Sequence, residues 1–474
     1  MTNTTRTFLV ATTAITLVVF GRMGTDAGFT AELIGQGQQQ TDEVALALRN
    51  PGSHPRVGLP DFVLMSDTDN AELVTQSKMV TDVLWDDINF EREYYMISRA
   101  SSAAVPAARW QALPHDQWAE LGADLVLAGE ARRNGRNLVI ELRLVSVKGD
   151  TKGTSYFGKR YQCGMQTARG PRDCAHQIAD DFHKDNRNLD GVARTKLAFV
   201  SDRDGARQKG RPATAIGKEI YISDYDGENE IRLTPNGSLN MHPSWSPTGG
   251  LIAYTSYTSG FPDIYVANIA QTGRALQRPA GGNDRMQNSS PAWSPDGSQL
   301  AFVSNRSGNS DVWIVNRDGS GLRNLTNYPG AIDNTPAWSP NGQMIAFTTD
   351  RATGNQPQLY IQSVAGAIAE RVTSERIDRP TWSSLNFIAF SVGSPPGYDI
   401  GIWDFNNPGV KILTSGNGTN ESPAISPNGR HIAFMTTQWG RQHIAVMDRT
   451  GQHIKQITEA GNNTYPNWQP ITGR

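Results

Sequence analysis

Few residues in this chain have types and spacing that could do chemistry. Asp224-Tyr225-Asp226-Gly227-Glu228-Asn229-Glu230 begins like a calcium loop, but it lacks the third oxygen ligand and the distant bidentate glutamate of that motif. Asp202-Arg203-Asp204-Gly205 has the same gaps. Both stretches lie between expected strands, so hairpin turns are the competing reading. Cys163 and Cys174 stand eleven residues apart, with His176 and His183 nearby. An exported chain would close the two cysteines into one local disulfide, whereas a metal site would want a paired-ligand spacing that these four residues lack. A hydrolase would need a Gly-x-Ser-x-Gly elbow with a later Asp and His; a metallopeptidase would need a His-Glu-x-x-His helix. Neither occurs in the sequence, nor does a phosphate-cradling glycine loop. The chain is therefore read as a non-enzyme, with no catalytic residue, no cofactor and no metal expected.

One polar pattern recurs. Asn240, Asn288, Asp333, Ile377, Asn420 and Asn463 each stand five residues before a Trp or Ile, and five of the six are short and polar. They could satisfy loop backbone groups through local turns. They could also form a stiff polar rim on which a protein domain docks. A propeller that binds or cleaves carbohydrate or peptide would instead gather charge inside its ring. The relevant strands offer mostly Ser, Thr, Ala and Asn, with His242 and Arg379 the exceptions.

These positions belong to a repeat. Pro291-Ala292-Trp293-Ser294-Pro295-Asp296-Gly297, Leu300-Ala301-Phe302-Val303-Ser304 and Asp311-Val312-Trp313-Ile314-Val315 read as strand, turn, strand, turn, strand. Asp-Gly supplies the positive φ of a tight hairpin, and apolar residues alternate as in half-buried strands. The anchor returns at Trp245, Trp293, Trp338, Trp382, Ile425 and Trp468, spaced 43 to 48 residues apart. That is the period of a four-stranded blade. A fourth strand ends in Leu325-Thr326, Val372-Thr373, Leu413-Thr414 and Ile457-Thr458. Leu197-Ala198-Phe199 and its two successors lack an anchor strand, while Tyr465-Pro466-Asn467-Trp468 is an anchor without a blade. Joining them closes a ring of six blades and removes the free sheet edges at the seam.

The expected organisation is an all-β six-bladed β-propeller at residues 191–474, closed by a strand at 464–470 and preceded by a small α/β domain at 53–190. Residues 1–27 read as a secretory signal, with Arg6 ahead of an apolar run too short to span a bilayer. Residues 28–52, including Gly35-Gln36-Gly37-Gln38-Gln39-Gln40, read as a flexible leader. In the small domain Asp69 is expected to cap a helix that buries Leu73, Val80, Leu84 and Ile88. Leu125-Val126-Leu127 and Leu138 to Leu142 flank an Asn134-Gly135 hairpin turn, and Ala175, Ile178, Ala179 and Phe182 stripe a last helix. A net charge of −2 argues against a dedicated nucleic-acid binder.

Ala175-His176-Gln177-Ile178-Ala179-Asp180, then Thr195 through Ser201, then Ser223-Asp224-Tyr225-Asp226-Gly227 and the Trp-Ser-Pro-Asp-Gly repeats together resemble the TolB family over residues 53 to 474. Departures are the cysteine pair, the Gly/Gln-rich leader, Ile425 in place of Trp, and Ser383-Ser384-Leu385-Asn386 where Ser-Pro-Asp-Gly is expected. The resemblance implies a periplasmic scaffold of a Tol-Pal system that supports outer-membrane integrity and cell division. Its inter-blade face would receive a Pal-like outer-membrane lipoprotein, and its leader a TolA-like inner-membrane protein, so that membrane association runs through partners alone. Gln287, Asn288 and Asn334 would lie at the lipoprotein surface, on a rim shared with Asn240, His242, Asp333, Asn420 and Asn463.

Overall fold

A computed structural model describes residues 54–66, 69–167, 169–205 and 217–472. The expected signal at 1–27 and leader at 28–52 lie outside the described residues. No helix among the described residues is long and apolar enough to cross a membrane.

The small domain is one mixed sheet under two long helices. Strands Tyr95–Met96, Arg56–Gly58, Leu125–Asn134, Asn137–Ser146 and Ser155–Gly164 lie side by side in that order. The central pair is the expected hairpin, with Asn134 opposite Asn137 and Gly135 at φ 60°. Gly58 can only be glycine, because a Cβ there would stand 2.4 Å from the ring of Trp118. The helix Ala71–Glu91 buries Leu73, Val80, Leu84 and Ile88 completely. Its cap is Asn70 and not Asp69: the Leu73 N–H donates to Asn70 Oδ1 at 3.0 Å, the reach from N-cap to the third helical residue. The helix Arg169–Arg187 buries Ala175, Ile178, Ala179 and Phe182 against it. A Cys163–Cys174 disulfide ties this helix to the last strand. Its short loop leads us to expect that replacing both cysteines by serine lowers the domain's unfolding free energy by about 3 kcal/mol in a denaturant titration; an unchanged midpoint would show that the helix docks equally well without the tether.

Six four-stranded antiparallel sheets form the ring. Inner strands Asn240–Trp245, Asn288–Trp293, Asp333–Trp338, Ile377–Trp382, Asn420–Ile425 and Asn463–Trp468 begin blades one to six. The sixth blade is built from both ends of the ring: Trp468 pairs with Leu197 and Asn463 with Ser201, followed outward by Glu219–Asp224 and Ile231–Arg232. The second and third strands carry the core, with Phe199, Phe302, Phe347, Phe390 and Phe434 all fully buried. The fourth strands are mostly two or three residues long, which leaves little unpaired edge. A threonine two residues beyond the fourth strand, present in every blade but the first, explains the Leu-Thr pattern. Its hydroxyl accepts the first free N–H of the third strand, as Thr326 does from Val312 at 3.0 Å and Thr458 from Ile444 at 2.9 Å.

Two departures from the repeat also have local reasons. In Ser383-Ser384-Leu385-Asn386, Asn386 takes the left-handed turn position at φ 61°, and Leu385 is buried in the neighbouring blade contact. Asparagine is one of the few residues that tolerates that conformation. Ile425 packs in the same cluster as a smaller apolar residue.

The small domain sits on one face of the ring, over blades five and six. Glu91 accepts from Arg430 at 2.8 Å, from His431 at 3.1 Å and from the Val192 N–H at 2.9 Å. Arg430 also bridges to Glu93 at 2.9 Å. Asp87 takes the Tyr225 hydroxyl at 2.6 Å and His176 at 2.8 Å, and Phe90 stacks on His431. These ring residues all lie in or beside the turns after first strands and after third strands, so the covered face is the one those turns make. One apolar cluster runs from Leu73 and Phe182 through Tyr225 to Trp468.

Candidate functional site

The uncovered face carries the other loops: those joining second to third strands, and those joining one blade to the next. The recurring polar residues stand just beneath it, where each inner strand begins. They are not displayed. Asn240, Asp333 and Asn463 have no exposed surface, and Asn288 and Asn420 have 1%. Each looks inward, to the preceding blade or its own loop. The Asn240 amide donates to Glu219 at 3.0 Å, Asn288 to Asp263 at 2.8 Å, Asn420 to Asp399 at 3.2 Å and Asn463 to the Ala460 carbonyl at 2.9 Å. The expected rim of displayed amides is thus corrected to a buried seal between blades, because a strand's first side chain falls on the blade boundary rather than over the channel. What reaches solvent is its neighbour. Gln287 is exposed, and Asn334 and His242 are half-buried.

Three arginines that the sequence reading left aside complete the seal. Arg351 Nη2 meets both oxygens of Asp333 at 3.0 Å, Arg306 donates to Asn288 at 2.9 Å, and Arg203 to Asn463 at 3.1 Å. Each guanidinium lies over its own blade's aromatics, as Arg351 does over Phe347 at 5.2 Å and Tyr360 at 5.3 Å. The residue before each arginine pins the loop that leads into its own blade: Asp350 accepts from the Ile332 N–H at 2.8 Å, Asn305 from Gln287 at 2.8 Å and Asp202 from Asn462 at 2.7 Å. The signal was present as Ser201-Asp202-Arg203, Ser304-Asn305-Arg306 and Thr349-Asp350-Arg351, directly after second strands.

The open face is therefore stiff, and it is also partly apolar. Met286, Tyr328, Ile332 and Trp439 all sit in its loops and expose between 39% and 53% of their surface. A rigid rim of polar loops with a few large apolar side chains matches the composition of protein-docking patches.

The loop from Asp224 to Glu230 is the hairpin turn between the third and fourth strands of blade six, and Asp202 to Gly205 forms a tight turn at the end of its second strand. Asp224 accepts from Lys196 and Asn229, Asp226 pairs with Arg172, and Asp204 holds Tyr221 and Arg232. His176, Asp224 and Asp226 come within 4.8 Å of one another, but Arg172 and Lys196 already neutralise both carboxylates. His183 is buried between the helices and the ring, and burial draws its pKa down to about 4.

A six-bladed ring with an α/β domain on one face defines a propeller scaffold. The family described as PD40, the TolB beta propeller domain, matches residues 187–472. Tol-Pal system protein TolB of Bordetella pertussis is 31% identical over 407 residues, covering 84% of this chain and 86% of that one. Tol-Pal system protein TolB of Desulfosudis oleivorans is 29% identical over 228 residues, a match spanning 47% of this chain and about half, 48%, of that relative. The crystal structure of TolB from Acinetobacter baumannii superposes with a TM-score of 0.69 at 20% identity, over 88% of this chain and 97% of that one. The chain belongs to the TolB family.

Proposed function

We propose that this chain is a periplasmic scaffold of a Tol-Pal system, acting by docking proteins. Its open face receives a Pal-like outer-membrane lipoprotein, and the segment at residues 28–52 engages a TolA-like inner-membrane protein. The chain reaches both membranes only through these partners, and the linkage serves outer-membrane integrity and cell division. The observation that carries this reading is the division of the ring's faces: among the described residues the small domain covers one, and the other is left with Gln287, Met286, Tyr328 and Ile332 on loops held by side chains of the blades beneath. The names of the relatives, Tol-Pal system protein TolB, support the choice of system.

The test uses the soluble domain of a Pal-like outer-membrane lipoprotein. Gln287→Arg with Asn334→Arg changes surface positions, so stability should move by no more than about 0.5 kcal/mol. Affinity should fall at least about tenfold, since two unpaired charges would be desolvated at the contact. Deleting residues 28–50 should leave that affinity intact and abolish capture of the TolA-like partner. Unchanged lipoprotein affinity in the double variant would remove the open face from the proposal, and undiminished TolA capture would remove the leader.

A further inference from the structure

The third residue of every inner strand has the repeat's most unusual backbone. His242, Ser290, Thr335, Arg379, Ser422 and Tyr465 have φ between 47° and 57°, and each precedes a proline. Sterics disfavour that region for residues with a Cβ, and proline pushes its predecessor towards extended conformations instead. At the same point each inner strand skips a register against its partner. A bulge re-aims side chains. Here it turns all six into the channel, where they line one cavity of about 160 Å³. Six strained positions repeated around one lumen mark it as more than a packing accident.

Arg379 is the only Asp, Glu, Lys or Arg among the residues lining that cavity. From blade four it reaches across the channel to blade one, where its Nη2 donates to His242 Nε2 at 3.1 Å. A guanidinium has no acceptor, so His242 Nε2 must offer its lone pair and the imidazole is neutral. Burial and the Arg379 charge both push the His242 pKa well down, consistent with a neutral ring. The imidazole proton then sits on Nδ1 and is donated to Ser290 Oγ at 3.3 Å, which turns the Ser290 hydroxyl hydrogen towards the lumen. The Arg379 guanidinium lies 4.2 Å over the Tyr465 ring. Among the described residues its one ion-pair neighbour is Asp378, at 3.8 Å from Nε and beyond hydrogen-bond reach. Glu421 is electrostatically near: burial raises its pKa while the Arg379 charge pulls it back down, and it makes no ion pair with Arg379 within 4.0 Å.

We infer that the channel is a carboxylate site, in which the Arg379 fork takes the two oxygens and Ser290 donates a further hydrogen bond. The space suits the head of an acidic side chain or a small free carboxylate. Planar, bidentate recognition is what distinguishes arginine from lysine in such a role. The site lies inside the ring, and Gln287 neither lines it nor adjoins a lining residue, so Gln287→Arg alone should leave it intact.

The test titrates full-length protein with acetate, with acetyl-Gly-Glu-Gly-amide and with acetyl-Gly-Gln-Gly-amide, read by calorimetry and by the thermal midpoint. Wild type should bind a carboxylate and ignore the glutamine peptide, and Arg379→Gln should lose at least about tenfold in affinity. Binding of acetate and the glutamate peptide alike assigns a general carboxylate site; binding of the peptide alone assigns an acidic side chain of a docked chain. Either supports the inference. Should Arg379→Gln fail to fold, Arg379→Lys decides: it keeps the charge, loses the fork and should also bind about tenfold more weakly. Absence of carboxylate binding to wild type, or equal binding by a folded Arg379 variant, overturns the site.

Discussion

Replacing Arg430 by alanine should release the small domain from the ring while both remain folded. Arg430 is the shared counter-charge of Glu91 and Glu93, and its side chain and that of Glu91 are almost wholly buried. Burial alone would raise the Glu91 pKa, but Arg430 and then His431 outweigh it and hold the carboxyl at about 2. Removing one partner of a buried pair leaves an uncompensated charge, which costs about 3–5 kcal/mol. That is a large part of what holds the two units together beyond the apolar cluster they share. A urea titration followed by tryptophan fluorescence should split into two transitions, and proteolysis should begin near residue 190. A single transition at the wild-type midpoint would show that the apolar contact alone suffices. The pH dependence follows from the same groups. A depressed carboxyl gives stability that is present above its unfolded value of 4.5 and is lost as pH falls towards about 2. His183 adds an earlier loss, from 6.5 down to about 4, because its neutral form is the one that fits the buried site. Asp180, raised to about 6 by burial, works in the opposite sense and is lost as pH rises from 3.8. Glu91→Gln should flatten the acid limb below pH 4.5 and, because the Glu91 charge holds the His183 pKa up against burial, should deepen the His183 loss.

The ring was readable because its signals are local and repeated. A proline, an aromatic anchor, a turn glycine and an Ala between two apolar residues recur in nearly every blade, and each has a mechanism that does not depend on distant contacts. The stripe Leu73, Val80, Leu84 and Ile88 was readable for the same reason. The inner-strand asparagines were recognised as a set, but their direction was not. Asn240 and Gln287 are both polar residues near a strand start, and only the blade boundary decides that one is buried and the other exposed. Of the channel residues, His242 and Arg379 stood out in the sequence as exceptions among the inner strands, but the backbone of all six gave no local sign. His242, Ser290, Thr335, Arg379, Ser422 and Tyr465 include no glycine or asparagine, and a position before proline is a poor candidate for positive φ. The ring imposes that conformation on them against their propensity. The Glu91–Arg430 contact joins residues far apart in the chain and could come only from the assembled structure.

Trp468→Ala should be the most damaging single change in the ring, for a reason that its burial does not express. Trp293 and Trp468 expose 7% and 6% of their surfaces, so truncating either forfeits a similar packing contribution of about 3–5 kcal/mol. Trp293, however, anchors a blade whose four strands are consecutive in the chain. Trp468 anchors the blade that joins residues near 197 to residues near 468. Its indole N–H also donates to Thr195 Oγ1 at 2.7 Å, beside the entry to the ring from the small domain. Losing that anchor weakens the pairing that converts an open arc into a circle, and exposes two sheet edges at once. Hydrogen exchange should therefore accelerate selectively across Lys196–Ser201 and Asn463–Trp468 in Trp468→Ala, ahead of global unfolding. In Trp293→Ala the acceleration should stay within blade two and its neighbour. Equal exchange profiles for the two variants would mean that the covalent break in blade six carries no special weight, and that closure is shared evenly around the ring.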